Sequence, residues 1–233
     1  MVEIRIDGPG KNALGSELIH SLTQQISAAK EAPILFTGTE DAFSAGLNLK
    51  EVASLDVDTM ADFLERLENF FRLIWLYPGP TVAAVNGHAI AGGCIMAMCC
   101  DYAVATDNTK ARIGLNEVAI GLRFPPGLLN FVRASVSPQH INEVVLGAGL
   151  HSPENAHRLG LVQAVAADPV ANARKRLEKL SKHPAQAYRA TKRDLRTGIM
   201  EASAEQQAAF REQVVPFWTS PEIKALIRSL LGN

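Results

Sequence analysis

The chain has 233 residues, is 47% hydrophobic, and balances 23 basic against 24 acidic side chains, which is enough apolar material for one generous α/β core. Its formal charge of −1 comes without a block of five like charges, so nothing suits a phosphate backbone and no nucleic-acid partner is expected. The longest weakly polar stretch, His88 to Cys100, is interrupted by two glycines and falls short of the ~20 apolar residues of a membrane-spanning helix, so no membrane partner is expected either.

Met1 leads straight into a strand-like Val2-Glu3-Ile4-Arg5-Ile6 with no secretory or presequence pattern, the form expected of a cytoplasmic protein. From Leu14, apolar residues recur at Leu18, Leu22 and Ile26, which predicts an amphipathic helix ending near Ala29-Lys30. Pro33 breaks it, and Ile34-Leu35-Phe36-Thr37 closed by Gly38 has the form of a buried parallel strand. Thr39 to Gly46 reads as a loop, Leu47 to Ala53 as a short helix, and Leu55 to Thr59 as a mobile connector. A long helix is expected over Met60 to Leu76, with Phe63, Leu67, Phe70, Phe71 and Ile74 on its buried face, stopped by Pro78-Gly79-Pro80.

Thr81 to Val85 is a second buried strand, Asn86-Gly87 a turn, Gly92-Gly93 the start of a helix through Cys100, and Tyr102 to Ala105 a further strand. After Pro138 the pattern is largely helical: Pro153 to Leu159, a strand at Leu161 to Val165, then helices near Val170 to His183, Pro184 to Arg196, Met200 to Glu212 and Pro221 to Leu231. No repeat or linker divides the chain, so one structural domain is expected: a core over residues 1–165 and a helical extension over residues 166–233 that packs on the core or on another subunit.

Two loops carry the chemistry. Phe43-Ser44-Ala45-Gly46-Leu47-Asn48-Leu49-Lys50 and Asn86-Gly87-His88-Ala89-Ile90-Ala91-Gly92-Gly93-Cys94 both follow buried strands and open helices. Glycine admits a close backbone approach, and the free N–H groups at a helix start favour negative charge, so loops lying side by side would form an anion site. Taken alone, the Gly-Gly pair fits close helix packing equally well.

Together, these two loops, the Cys100-Asp101-Tyr102 that follows, and flanks reaching from Asn12-Ala13-Leu14 to Gly160-Leu161-Val162 resemble the enoyl-CoA hydratase/isomerase (crotonase) superfamily. The resemblance implies an α/β fold of the crotonase type, a spiral of repeated ββα units with a helical C-terminal region that covers the active site and mediates oligomerisation. It implies an acyl-CoA thioester substrate, with coenzyme A part of that substrate and no separate cofactor. Assembly as a homotrimer or dimer of trimers is implied too. By position, Leu47 and Gly92 would supply backbone N–H donors to the thioester oxygen, and the Ala45 carbonyl would accept from the adenine amino group. Gly46 and Gly93 would complete the loops, and Lys50, and Lys192 from a neighbouring subunit, would pair with CoA phosphates unless they are simply solvated.

Family hydratases use two glutamates. Here Ile95 stands at the first position and only Glu117, in Ile113-Gly114-Leu115-Asn116-Glu117, is kept. One carboxylate suffices to move a proton from C2 to C4, and the segment resembles the Δ3,Δ2-enoyl-CoA isomerases, as does the ending from Val215 to Leu231. Glu117 beside an apolar wall of Ile90, Ile95 and Leu122 is expected to titrate above the usual carboxylate range. The alternatives are a hydratase, hydrolase or decarboxylase using the same site, or a CoA- or RNA-binding relative without catalysis.

Other residues have plainer readings. Cys94, Cys99 and Cys100 fit buried hydrophobes, with a nucleophilic Cys94 as the sharper option. His88 reads as structural and Asp101 as a buried strand-entry or capping residue. None of the six histidines stands in an H-x-x-x-H or H-E-x-x-H pattern, so no metal site is expected.

Overall fold

The computed structural model describes residues 1–232. In chain order the elements are β1 (Val2–Ile6), a short turn α1 (Pro9–Asn12), α2 (Ser16–Ala28), β2 (Ile34–Gly38), β3 (Ala42–Ser44), α3 (Leu49–Ser54), α4 (Val57–Trp75), β4 (Thr81–Val85), β5 (His88–Ile90), α5 (Gly92–Cys99), β6 (Tyr102–Thr106) and β7 (Ile113–Gly114). They continue as a single 3₁₀ turn (Val118–Ile120), α6 (Pro126–Ser135), α7 (Ile141–Val145), α8 (Pro153–Arg158), β8 (Ala164–Ala166), α9 (Pro169–Leu180), α10 (Ala185–Arg196) and α11 (Ala204–Ala209). A π-helical turn (Phe210–Val214), α12 (Val215–Trp218) and α13 (Pro221–Leu230) complete the chain.

Five strands form a parallel sheet in the order β1-β2-β4-β6-β8, and three form a second parallel sheet, β3-β5-β7. Each of β2, β4 and β6 feeds a short strand of the second sheet, and the chain then turns helical. This is the ββα repeat of an α/β crotonase-type spiral. The crossing from large to small sheet is tight: a Cβ at Gly38 would lie 2.0 Å from the Ala42 carbonyl oxygen, and one at Gly87 1.8 Å from that of Asp41, so only glycine fits.

Side chains alternate across the large sheet, as a strand's period of two requires. Ile34, Phe36, Ala83, Val85, Ala103 and Ala105 join the main core with α2, α4 and α5, whereas Leu35, Val82, Ala84 and Val104 meet Ala173 and Leu177 of α9 on the other face. Both faces are therefore covered, which is why these strands read as unbroken apolar runs. The expected face of α4 is buried throughout: Phe63, Leu67, Phe70, Phe71 and Ile74 are each at most 3% exposed.

Four expectations change, the first being that the stretch read as a loop from Thr39 to Gly46 contains β3. The stretch from Leu55 to Thr59 is no mobile connector: Asp56 caps α4, accepting from Thr59 N–H at 2.9 Å while its own N–H donates to Thr59 Oγ1 at 3.0 Å, so the helix begins at Val57. The strand expected from Leu161 is β8, three residues further on, because His157 Nδ1 lies 3.1 Å from the Val162 carbonyl and holds that part in a turn. The helix expected from Met200 starts only at Ala204, where Ser203 and Gln206 form a capping box.

Among the described residues no helix is long and apolar enough to cross a membrane.

Candidate active site

The site is assembled at the C-terminal ends of β3, β5 and β7, three adjacent parallel strands, which is where open α/β sheets place their ligands. After β3 the chain is pinned on both sides by Leu14: Leu14 N–H donates to the Gly46 carbonyl at 2.7 Å, and Asn48 N–H donates to the Leu14 carbonyl at 3.1 Å. The Leu47 N–H between them has no backbone partner among the described residues. Gly46 reaches this geometry with φ of +89°, and a Cβ there would lie 2.7 Å from the Ile90 carbonyl oxygen and 3.5 Å from the Gly92 nitrogen. The two loops therefore touch.

After β5, Ala91 N–H donates to the Gly114 carbonyl of β7 at 2.8 Å, and Ala91 takes a left-handed φ of 48°. Such a conformation costs of order 1–3 kcal/mol in a residue with a side chain, and here it swings the first turn of α5 toward the Leu47 loop. Gly92 is the first residue of that helix, and its N–H has no backbone partner among the described residues. Gly93 matters for packing instead, since a Cβ there would lie 2.2 Å from the Ser44 carbonyl oxygen, and its absence lets α5 sit on β3.

After β7 come Asn116 and Glu117. Glu117 is 8% exposed, and its Oε2 is buried with no hydrogen-bond partner. Burial raises its pKa to about 7, with a backbone hydrogen bond opposing the shift. A cavity of about 180 Å³ brings these parts together. Ala45, Leu47, Ile90, Gly92, Ile95, Glu117 and Leu122 all line it.

The remaining residues singled out in the sequence lie elsewhere. Gly46 and Gly93 act on the loops from behind, and Lys50 is exposed on the first turn of α3. Lys192 departs furthest from expectation. Its ammonium is turned into its own chain, 2.9 Å from Asp101 Oδ1 and 2.9 Å from the Gly79 carbonyl, and it is 6% exposed. It is not free to meet a phosphate. Cys94 is fully buried and its thiol is pushed well above the usual range by that burial, which removes the nucleophile option. His88 accepts from Arg112 N–H at 3.2 Å and does not line the cavity. Among the described residues no three His, Cys, Asp or Glu side chains gather as metal ligands.

The enoyl-CoA hydratase/isomerase family profile matches residues 1–225. The chain belongs to that family. A crotonyl-CoA hydratase of Syntrophomonas wolfei is 31% identical over 159 residues, covering 66% of this chain and 60% of the relative. The matched part thus spans less than two thirds of that relative's length. The mouse mitochondrial enoyl-CoA delta isomerase 1 is 24% identical over 98% of this chain and 81% of its own. In fold, the chain superposes on human mitochondrial delta3-delta2-enoyl-CoA isomerase with a TM-score of 0.91 at 23% identity, covering 99% of this chain and 92% of that one.

For a member of the enoyl-CoA hydratase/isomerase family, several cavity residues carry no signature in the sequence. Leu67 and Phe71 of α4, Phe124, Leu128, Trp218 and Leu230 form half of the remaining wall. As apolar residues at helical spacing they are indistinguishable from core. Asn116 and Trp218 each also present a buried polar atom without a partner.

Proposed function

We propose that this chain acts on acyl-CoA thioesters by forming an enolate, with the Leu47 and Gly92 N–H groups on the thioester oxygen and Glu117 as the base. Loss of the α-proton places negative charge on that oxygen, and a single well-aimed donor of this kind is worth about 2.7–4 kcal/mol in the transition state. Main-chain donors explain why a leucine can occupy position 47. The observation that carries the reading is Glu117 itself: a buried carboxylate with an unpaired oxygen, in the same cavity as two unpaired N–H groups. A pKa of about 7 suits a group that both takes and returns a proton near neutral pH.

The reaction we infer at this site is isomerisation of a 3-enoyl-CoA to the 2-trans-enoyl-CoA. Glu117 takes the proton from C2, the charge spreads over the dienolate while the two N–H groups hold its oxygen, and Glu117 returns the proton at C4. Ile95 lines the cavity where the hydratases of the family place a second glutamate, and it cannot move a proton.

A second reading is water addition to a 2-enoyl-CoA. It is favoured by Asn116 Oδ1, an unpartnered acceptor next to the base that could orient a water, and by the several hydratases among the relatives. Incubation with 3-enoyl- and 2-enoyl-CoA thioesters, followed by product separation, decides between them. Isomerisation predicts interconversion of the two enoyl forms with little 3-hydroxyacyl-CoA; hydration of the 2-enoyl thioester at a comparable rate would replace it with the second reading.

The same proposal includes Lys50 as a phosphate contact for CoA, since it is exposed next to the cavity residue Leu49. It also includes assembly as a homotrimer or dimer of trimers, in keeping with the exposed Leu146 and Leu195. Mass measured by light scattering checks the latter.

A further inference from the structure

Proton transfer and enolate stabilisation leave two buried polar atoms of the cavity wall unused, Asn116 Oδ1 and Trp218 Nε1, and of these only the indole is a donor. Trp218 is 2% exposed and lines the cavity, and its indole Nε1 is buried with no acceptor. A buried indole N–H ordinarily finds a partner, and one left without is unfavourable. The second tryptophan follows the ordinary rule: Trp75 Nε1 donates to the Arg196 carbonyl at 3.2 Å.

The placement of Trp218 is specific to its local backbone. The π-helical turn Phe210–Val214 directly precedes α12, and such turns widen the helix by one residue and re-aim the side chains that follow. Val215 and Trp218 are turned inward while Phe217 between them is 44% exposed. The helix packs on α4, whose contributions to the cavity, Leu67 and Phe71, are apolar. A lone water is a poor occupant of such a wall, because it needs two to four polar partners.

We propose that Trp218 Nε1 donates a hydrogen bond to an oxygen carried on the acyl chain, so that this cavity selects oxygen-bearing acyl-CoA thioesters over plain alkyl chains of equal length. The proposal rests on the acyl-CoA reading above and adds a substrate class to it. The acceptor can be a neutral keto or hydroxyl oxygen or a terminal carboxylate. For a carboxylate, Arg123, an exposed cation that also lines the cavity, offers a competing contact.

The test is calorimetric binding to the full chain of saturated thioesters, which cannot isomerise: hexanoyl-CoA, six-carbon chains with one keto or hydroxyl group at C4, C5 or C6, and the ω-carboxylate. At least one oxygenated thioester is expected to bind about tenfold tighter than hexanoyl-CoA, the yield of one hydrogen bond to a buried donor. Trp218→Phe, which keeps an aromatic filler without the donor, should bring that ratio close to one, the hexanoyl-CoA affinity of the same variant serving as its reference. A second readout needs no variant: in ¹⁵N-labelled wild type, the Trp218 indole N–H resonance should move downfield with the oxygenated thioester and not with hexanoyl-CoA.

No preference anywhere in the panel, or a preference that survives Trp218→Phe with an unmoved indole resonance, overturns the proposal. A preference confined to the carboxylate and lost in Arg123→Gln instead also overturns it. Failure of every thioester to bind, hexanoyl-CoA included, overturns the acyl-CoA reading itself, whereas tight hexanoyl-CoA binding with no oxygen preference removes only the role of Trp218.

Discussion

Two carboxylates of this chain, one half-buried and one buried, have opposite surroundings. Asp101 accepts from Thr81 N–H at 2.7 Å and from Tyr188 hydroxyl at 2.8 Å, and it pairs with Lys192 at 2.9 Å and Arg196 at 2.8 Å. Glu117 has an oxygen with no partner at all and an apolar wall of Ile90, Ile95 and Leu122 around it. The first arrangement gives both carboxylate oxygens partners and ties α10 to the entry of β4 and β6. The second leaves a carboxylate that is costly when ionised and therefore ready to hold a proton. Burial alone does not mark a functional group; burial without compensation does.

The contrast is sharpened most by Glu117→Gln. Activity on acyl-CoA thioesters should fall between about a hundredfold and about ten-thousandfold, with thioester affinity retained, as steady-state rates and calorimetry would show. Retained turnover would move the base elsewhere. Gly46→Ala comes next: the added methyl meets the Ile90 carbonyl and the residue prefers to leave φ of +89°, so the Leu47 N–H should be displaced and kcat/KM should drop about a hundredfold.

On the Asp101 side, Asp101→Ala strands Lys192 and Arg196 without their anion. Stability should fall by about 3–5 kcal/mol, seen as a Tm lower by roughly 10 °C in a thermal melt. The pH profile of the activity that remains should keep its midpoint, because nothing at Glu117 has changed.

The smallest effect tests the same comparison through stability. Glu117 titrates at about 7 in the folded chain against a reference of 4.5, so between those values the folded state holds a proton that the unfolded state has released. The folded state therefore loses stability as pH rises through that window, whereas below it both states hold the proton and the group makes no difference. Glu117→Gln should be more stable than wild type by about 3 kcal/mol at pH 8 and equal to it near pH 4, measured by denaturant titration. An increment independent of pH would mean that the carboxylate is not ionising in an apolar site.

Much of this is readable from the chain because it depends on local rules. The apolar runs at Ile34 to Thr37 and Thr81 to Val85, the face of α4, and the two Gly-containing loops each carry their signal within a few residues. Glu117 stands out only through the family resemblance, which places Ile95 where the family's hydratases carry a second glutamate. The second sheet is not legible: β3, β5 and β7 have three, three and two residues, too few for a period of two to register. The start of α6 is hidden for another reason: Pro125-Pro126-Gly127 opens it without an apolar period, proline being well accepted at the first positions of a helix.

Lys192 shows a limit of position-by-position reasoning. Its place in the chain says nothing of which way the side chain turns, and two neighbours distant in sequence, Gly79 and Asp101, decide that it points inward. The wall contributed by Trp218 and Leu230 is hidden likewise, because it arises only when the C-terminal helices fold back over the cavity.

The most direct measurement is exchange of the C2 protons of a 3-enoyl-CoA in D₂O, followed by NMR across pH 5 to 9 for wild type and Glu117→Gln. A carboxylate base with a midpoint near 7 predicts deuterium uptake that rises with pH and levels off above about 7 in wild type, and no uptake in the variant although it still binds the thioester. Exchange in the variant at the wild-type rate would contradict the assignment of the base and the account built on it.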